Sequence, residues 1–149
     1  MTDAGRSSGN PFHLARFTSA QEGVYARALS ELRDGQKRGH WMWYVFPQID
    51  GLGYSATTRY YSIKSREEAC AYLAHPVLGP RLVECAKAVL ALEGRSATQV
   101  FGYPDDAKLR SCMTLFAAVA DPGSVFSHVL EKFLGGRADD ETLRRLAGG

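Results

Sequence analysis

At 149 residues the chain suits one domain, and a domain of that size buries about 68–70% of its unfolded surface, so it needs no metal or disulfide staple. Apolar residues make up 45% and charged residues 23%, the proportions of a globular chain rather than a disordered one. Lys plus Arg is 18 against 16 Asp plus Glu, a formal charge of +2 with no basic stripe, so no nucleic-acid partner is indicated.

The first ten residues are polar and small and lack the apolar core of a leader. A disordered tail is expected over residues 1–11, and a single helical domain over 12–149. Thr18–Asp34 reads as the first helix. Thr18 and Gln21 have capping-box spacing, Tyr25, Ala28, Leu29 and Leu32 form one apolar face, and Gly35 stands where a left-handed cap belongs. Residues 37–64 break this pattern. His40-Trp41-Met42-Trp43-Tyr44-Val45-Phe46 is apolar on every side, fitting a short helix or a short strand, until Pro47 ends it. Gly51-Leu52-Gly53 reads as a tight turn and Arg59–Lys64 as a brief extended piece.

Helices resume at Ser65, which with Glu68 spells a second capping box opening a helix to Ala74. Pro76 suits a first helical position. Leu78, Leu82, Cys85, Val89 and Leu92 then mark the buried stripe of a long helix closed by Gly94. Ser96–Phe101 reads as a short helical turn. Asp105 or Asp106 caps Ala107–Val119, Asp121-Pro122 opens Gly123–Leu134, and Asp139 starts a last helix through Leu146. The fold class is mainly α, a compact single domain of six or seven helices with an irregular aromatic crossover segment.

Cys70, Cys85 and Cys112 are odd in number, form no C-x-x-C pair and fall inside helical patterns. They read as buried small hydrophobes, and a reduced, cytoplasmic setting is expected. The longest apolar stretch, Met113–Ala120, is far short of a membrane span. Phosphate-loop, dinucleotide-binding, zinc-protease and nucleophile-elbow signatures are absent, and the four histidines lack carboxylate partners at ligand spacing, so no metal or cofactor is expected.

The segment that can carry chemistry is Lys37–Tyr61. It holds both tryptophans, Trp41 and Trp43, with Tyr44, Phe46, Tyr54, Tyr60 and Tyr61. Read as a pocket, Trp41, Trp43 and Tyr60 offer flat faces to a ring, and Gln48 and Ser55 offer hydrogen bonds. Lys37 and Arg59 answer an anion, and Gly51 and Gly53 let backbone N–H groups approach a ligand. Read as a crossover, the same aromatics fill the core and His40 and Gln48 satisfy backbone groups. Residue types alone leave both open. If there is turnover, His40 is the group whose ordinary pKa lies near neutrality. For N-glycoside cleavage a carboxylate is needed instead, and Asp50 and Asp106 are the candidates, with Glu67 behind them.

The sequence resembles the bacterial domain-of-unknown-function family DUF1810, whose members are often labelled calpastatin. The resemblance is carried by His40-Trp41-Met42-Trp43, Phe46-Pro47-Gln48, Gly51-Leu52-Gly53 with Ser55, His75-Pro76 with Leu78-Gly79, Phe101-Gly102, and Ser111 with Met113-Thr114-Leu115-Phe116. It implies one mainly α domain and brings no activity with it. The calpastatin label does not fit, since calpain-inhibitory segments are disordered and hydrophilic. The order of elements is distantly similar to the NADAR family of ADP-ribose glycohydrolases. That family's Glu-His pair after the aromatic stretch is missing here, with Glu67-Glu68 standing near its place.

Three readings follow. The domain binds or processes a small anionic ring-containing ligand, such as a nucleotide or ADP-ribose derivative, as an enzyme of hydrolase type. Or it binds such a ligand without turnover. Or it is a non-enzymatic structural or protein-interaction domain whose aromatic segment is core. No membrane partner is indicated, and the sequence leaves the oligomeric state open.

Overall fold

Ten α-helices follow one another among the described residues, 12–148, of the computed structural model. The tail expected over residues 1–11 lies outside them. The helices are α1 (Ala15–Gln21), α2 (Tyr25–Asp34), α3 (Met42–Val45), α4 (Ala56–Tyr61), α5 (Arg66–Ala74), α6 (Leu78–Leu90), α7 (Ala97–Phe101), α8 (Asp105–Val119), α9 (Val125–Phe133) and α10 (Asp140–Gly148). Among these residues there is no strand, and one isolated parallel bridge joins Ile49 to Ile63.

The expected count of six or seven is too low for two reasons. The helix expected over Thr18–Asp34 is broken at Glu22–Val24, where Glu22 is extended and Gly23 has a φ of 75°. Thr18 lies inside α1 and donates to the Ala15 carbonyl. Gln21 turns inward to donate to the Tyr44 carbonyl at 2.7 Å, so the pair forms no capping box. The crossover segment is also more regular than expected, since α3 and α4 both lie within it.

Capping elsewhere follows local chemistry. Gly35 ends α2 in the left-handed region at φ 79°, taking its N–H to the Glu31 and Leu32 carbonyls. Ser65 accepts from the Glu68 N–H, but the Glu68 carboxylate is drawn to the Lys64 N–H and to Arg16 instead of closing the box. Before α6 the cap is a histidine: the Nδ1 of His75 accepts from the N–H groups of Val77 and Leu78 at 3.1 and 3.2 Å. The cap of α9 is Ser124 rather than Asp121, so that helix begins two residues later than expected.

The core sits where α6 packs on α2, α5 and α9, and α8 packs on α5, α7, α9 and α10. Leu78, Leu82, Cys85 and Val89 of α6 are buried as their spacing requires, and so are Leu109, Cys112, Met113 and Phe116 of α8. Each such large apolar side chain contributes about 1.5–3 kcal/mol by leaving water. Of the three cysteines, Cys85 and Cys112 are buried as expected, but Cys70 is exposed on the outer face of α5. No helix among the described residues is long and apolar enough to cross a membrane.

Candidate functional site

The chain from Gln48 to Lys64 forms a flap on the core, closed at its base by two backbone bonds. The Ile63 N–H donates to the Gln48 carbonyl and the Asp50 N–H to the Ile63 carbonyl, each at 2.8 Å. A buried ion pair fixes the flap from below. The Arg16 guanidinium meets Glu68 at 2.7 Å, with side-chain exposures of 5% and 1%. Arg16 also donates to the carbonyls of Tyr60 at 2.7 Å and Ser62 at 2.9 Å, and to those of Phe12 and His13. Every donor of the guanidinium therefore points at an acceptor, which is what a buried charge demands.

Facing the flap is α10. Asp139 caps it, accepting from the Thr142 N–H at 3.0 Å, and the Asp139 N–H donates to Thr114 of α8 at 2.8 Å, so α10 is tied down at its start. Glu141, Arg144 and Arg145 then turn towards the flap. Gly51, at φ 99°, lets Arg145 lie on the turn, because a Cβ there would run into the guanidinium.

Two adjoining cavities lie between flap and helix. The first, of about 600 Å³, is lined by Gln48, the Gly51–Gly53 turn, Tyr54, Lys108, Ser111 and Arg145. The second, of about 480 Å³, is lined by Asp50, Lys64, Arg66, Arg144 and Arg145. Glu141 and Arg145 border both and form the partition between them. Tyr54 stands at the first cavity with 83% of its surface exposed. Lys108 reaches from α8 to sit 5.1 Å above the half-buried Trp43 ring.

The charges here are paired but accessible. Lys108 meets Asp105 at 3.3 Å, Arg145 meets Glu141 at 3.0 Å and Lys64 meets Asp50 at 3.3 Å, with side-chain exposures between 20% and 52%. Pairs this exposed contribute only about 0–1 kcal/mol, so an incoming anion competes with them at little cost. A hydrogen bond from Ser62, opposed by burial and aided by Lys64, holds the Asp50 carboxyl below the ordinary aspartate range. Hydrogen bonding from Arg144 holds Glu141 below the ordinary glutamate range. Both are acceptors at neutral pH, not proton donors.

The candidates read from the sequence are dispersed. Gln48, Gly51 and Gly53 line the first cavity and Asp50 the second. Trp43 lies under Lys108. Trp41 is core, with 1% exposure and its indole N–H donating to Glu31 at 2.9 Å. Burial raises the Glu31 carboxyl, but donation from the Arg38 and Gly39 N–H groups and from Trp41 brings it below the ordinary range. Lys37 is sequestered in an ion pair with Asp105 at 2.8 Å, its side chain 7% exposed. Ser55 caps α4, accepting from the Thr58 N–H at 3.1 Å. Arg59 is exposed and donates back to the Tyr54 carbonyl at 2.9 Å. Tyr60 packs edge-on against Tyr61. His40 is exposed and lines neither cavity. Asp106 faces a separate recess beside Tyr103 and Arg110, accepting from Thr98 at 2.6 Å. Glu67 is exposed on α5.

The cavity cations Lys64, Arg66, Lys108, Arg144 and Arg145 lie outside the candidate set read from the sequence. Lys108 beside Asp105 reads as a solvated first-turn residue, and nothing local marks an arginine near the end of the chain. Tyr54 carries the one readable signal, an aromatic directly after a glycine turn.

The chain belongs to the DUF1810 family, described as a protein of unknown function, which matches residues 11–146. It is similar to the conserved hypothetical protein Rv1873 from Mycobacterium tuberculosis, known from its crystal structure. The two are 52% identical with a TM-score of 0.91, over 93% of this chain and 99% of that one. No curated protein matches the sequence.

Proposed function

We propose that the domain binds a small anionic, ring-containing compound of the nucleotide class in the cavity between the Gly51–Gly53 turn and α10. The observation that carries this reading is the convergence of Gln48, the glycine turn, Tyr54, Lys108, Ser111 and Arg145 around about 600 Å³, a volume within the range of small-molecule sites. Tyr54 supplies a face on which a base stacks for about 1–3 kcal/mol. Lys108 and Arg145 supply charge-assisted bonds to a phosphate. Gln48 and Ser111 supply directional hydrogen bonds to the ring. Together these suffice for micromolar affinity, which corresponds to about 8 kcal/mol.

The reading is of binding rather than turnover. Asp50 and Glu141, the cavity carboxylates whose environment moves them, are both moved away from neutrality, whereas a general acid works best with a pKa near the working pH. The competing reading, a structural or interaction domain, draws on Trp41, Met42, Val45 and Phe46, all of them core. Calorimetry with AMP and ADP-ribose separates the two. Micromolar binding by the wild type that falls at least tenfold in Tyr54→Ala, Lys108→Ala and Arg145→Ala supports the site. No binding to either compound leaves the interaction domain as the better account. Release of a product from ADP-ribose that stops in Asp50→Ala would return the domain to the enzymes.

A further inference from the structure

The second cavity differs from the first in charge. Lys64, Arg66, Arg144 and Arg145 face Asp50 and Glu141 across it, four cations against two carboxylates. Around the first cavity Lys108 and Arg145 are matched by Asp139 and Glu141. The anion-attracting end of the cleft is therefore the one away from Tyr54, beyond the Glu141–Arg145 partition.

Glu141 holds both Arg144 and Arg145, through separate carboxylate oxygens, at 2.5 and 3.0 Å. One carboxylate so shared occupies the place a bridging phosphate would take. Arg66 is exposed, and among the described residues it donates at long range, 3.5 Å, to the Ala118 carbonyl. Its guanidinium, suited to bidentate contact with phosphate oxygens, has little to hold it elsewhere.

We infer that the two cavities form one composite site for a nucleoside diphosphate or longer phosphate chain. The base sits against Tyr54, the first phosphate on Arg145 at the partition, and the next phosphate in the second cavity on Arg66, Arg144 and Lys64. This rests on the binding reading above and narrows its ligand class, because a nucleoside monophosphate fills only the first cavity and Arg145.

The test is calorimetry of AMP and ADP against the wild type and the double variant Arg66→Ala/Arg144→Ala. Both residues are exposed and Glu141 keeps Arg145, so the fold is retained, as an unchanged melting temperature verifies. In the wild type ADP binds at least tenfold more tightly than AMP, a preference equal to one charge-assisted bond at about 1.4 kcal/mol per tenfold. In the double variant AMP affinity stays within about twofold and the ADP preference disappears. Equal wild-type affinities for AMP and ADP, or a preference that survives the double variant, overturns the composite site while leaving the first cavity as a nucleotide site. Failure of both nucleotides to bind overturns both.

Discussion

Replacing Glu68 with glutamine tests whether the buried ion pair holds the flap. The substitution keeps shape and a hydrogen-bonding oxygen but removes the charge paired with Arg16, which is 2.7 Å away with both side chains at least 95% buried. Breaking such a pair from one side costs about 3–5 kcal/mol, because an uncompensated charge is left in the interior. Arg16 keeps four carbonyl acceptors, those of Phe12, His13, Tyr60 and Ser62, which places the loss near the lower end. About 3 kcal/mol is a large part of the 5–15 kcal/mol by which domains of this kind are stable, and it lowers Tm by about 6–12 °C. Urea melts followed by circular dichroism measure it. Glu93→Gln is the control: Glu93 pairs with Lys132 at 2.8 Å but is 84% exposed, so its loss is below about 1 kcal/mol. A Glu68→Gln protein no less stable than the Glu93→Gln protein refutes the account of the pair.

Two further outcomes follow from the geometry. Gly51→Ala places a Cβ at φ 99° and against Arg145, so it costs about 1–2 kcal/mol of stability; since the guanidinium must leave the turn, AMP affinity falls as far as in Arg145→Ala, which calorimetry checks. His75 accepts two helix N–H groups through Nδ1, and burial holds its pKa below the ordinary histidine range. A base with a lowered folded pKa contributes stability that is complete above the unfolded value and is lost as pH falls through the folded one. Unfolding free energy therefore declines on acidification below about pH 6.5, and His75→Ala loses about 1 kcal/mol at pH 8 as a removed cap and flattens that decline; equal pH slopes for the two proteins would contradict it.

What the sequence made legible was chemistry that closes within one turn of chain. Gly35, Ser65 and Asp139 act where their neighbours say they should, and the stripes of α6 and α8 are buried because periodicity reports a face directly. Thr18 and Asp121 carry the same signals and are not caps. Gln21 finds a better partner in the Tyr44 carbonyl, and the helix after Asp121 starts only at Val125, where Ser124 accepts from the Ser127 N–H. For the Thr18 and Gln21 pair a partner outside the local window won, as tertiary contacts override weak local preferences, and for Asp121 a serine three residues on took the cap.

The aromatic segment shows the same limit at the site. In a helical turn two residues apart in sequence splay by about 200°, and α3 with Trp41 at its entry does this: Trp41 enters the core and Trp43 stays half-buried under Lys108. The segment is thus core on one side and rim on the other, which is why its composition fitted both a crossover and a pocket. Its own cations then could not serve the rim. Lys37 was needed against Asp105 beneath Trp41, and Arg59 folds back on the Tyr54 carbonyl. The charge that faces the glycine turn comes instead from Lys108 and Arg145, on helices that only the packing of α8 against α10 brings there. A ligand site built this way requires α10 to be docked before it exists, so unfolding of α10 and loss of nucleotide binding should occur together on a urea titration. Binding that outlasts the protection of the α10 amides in hydrogen exchange would place the ligand elsewhere.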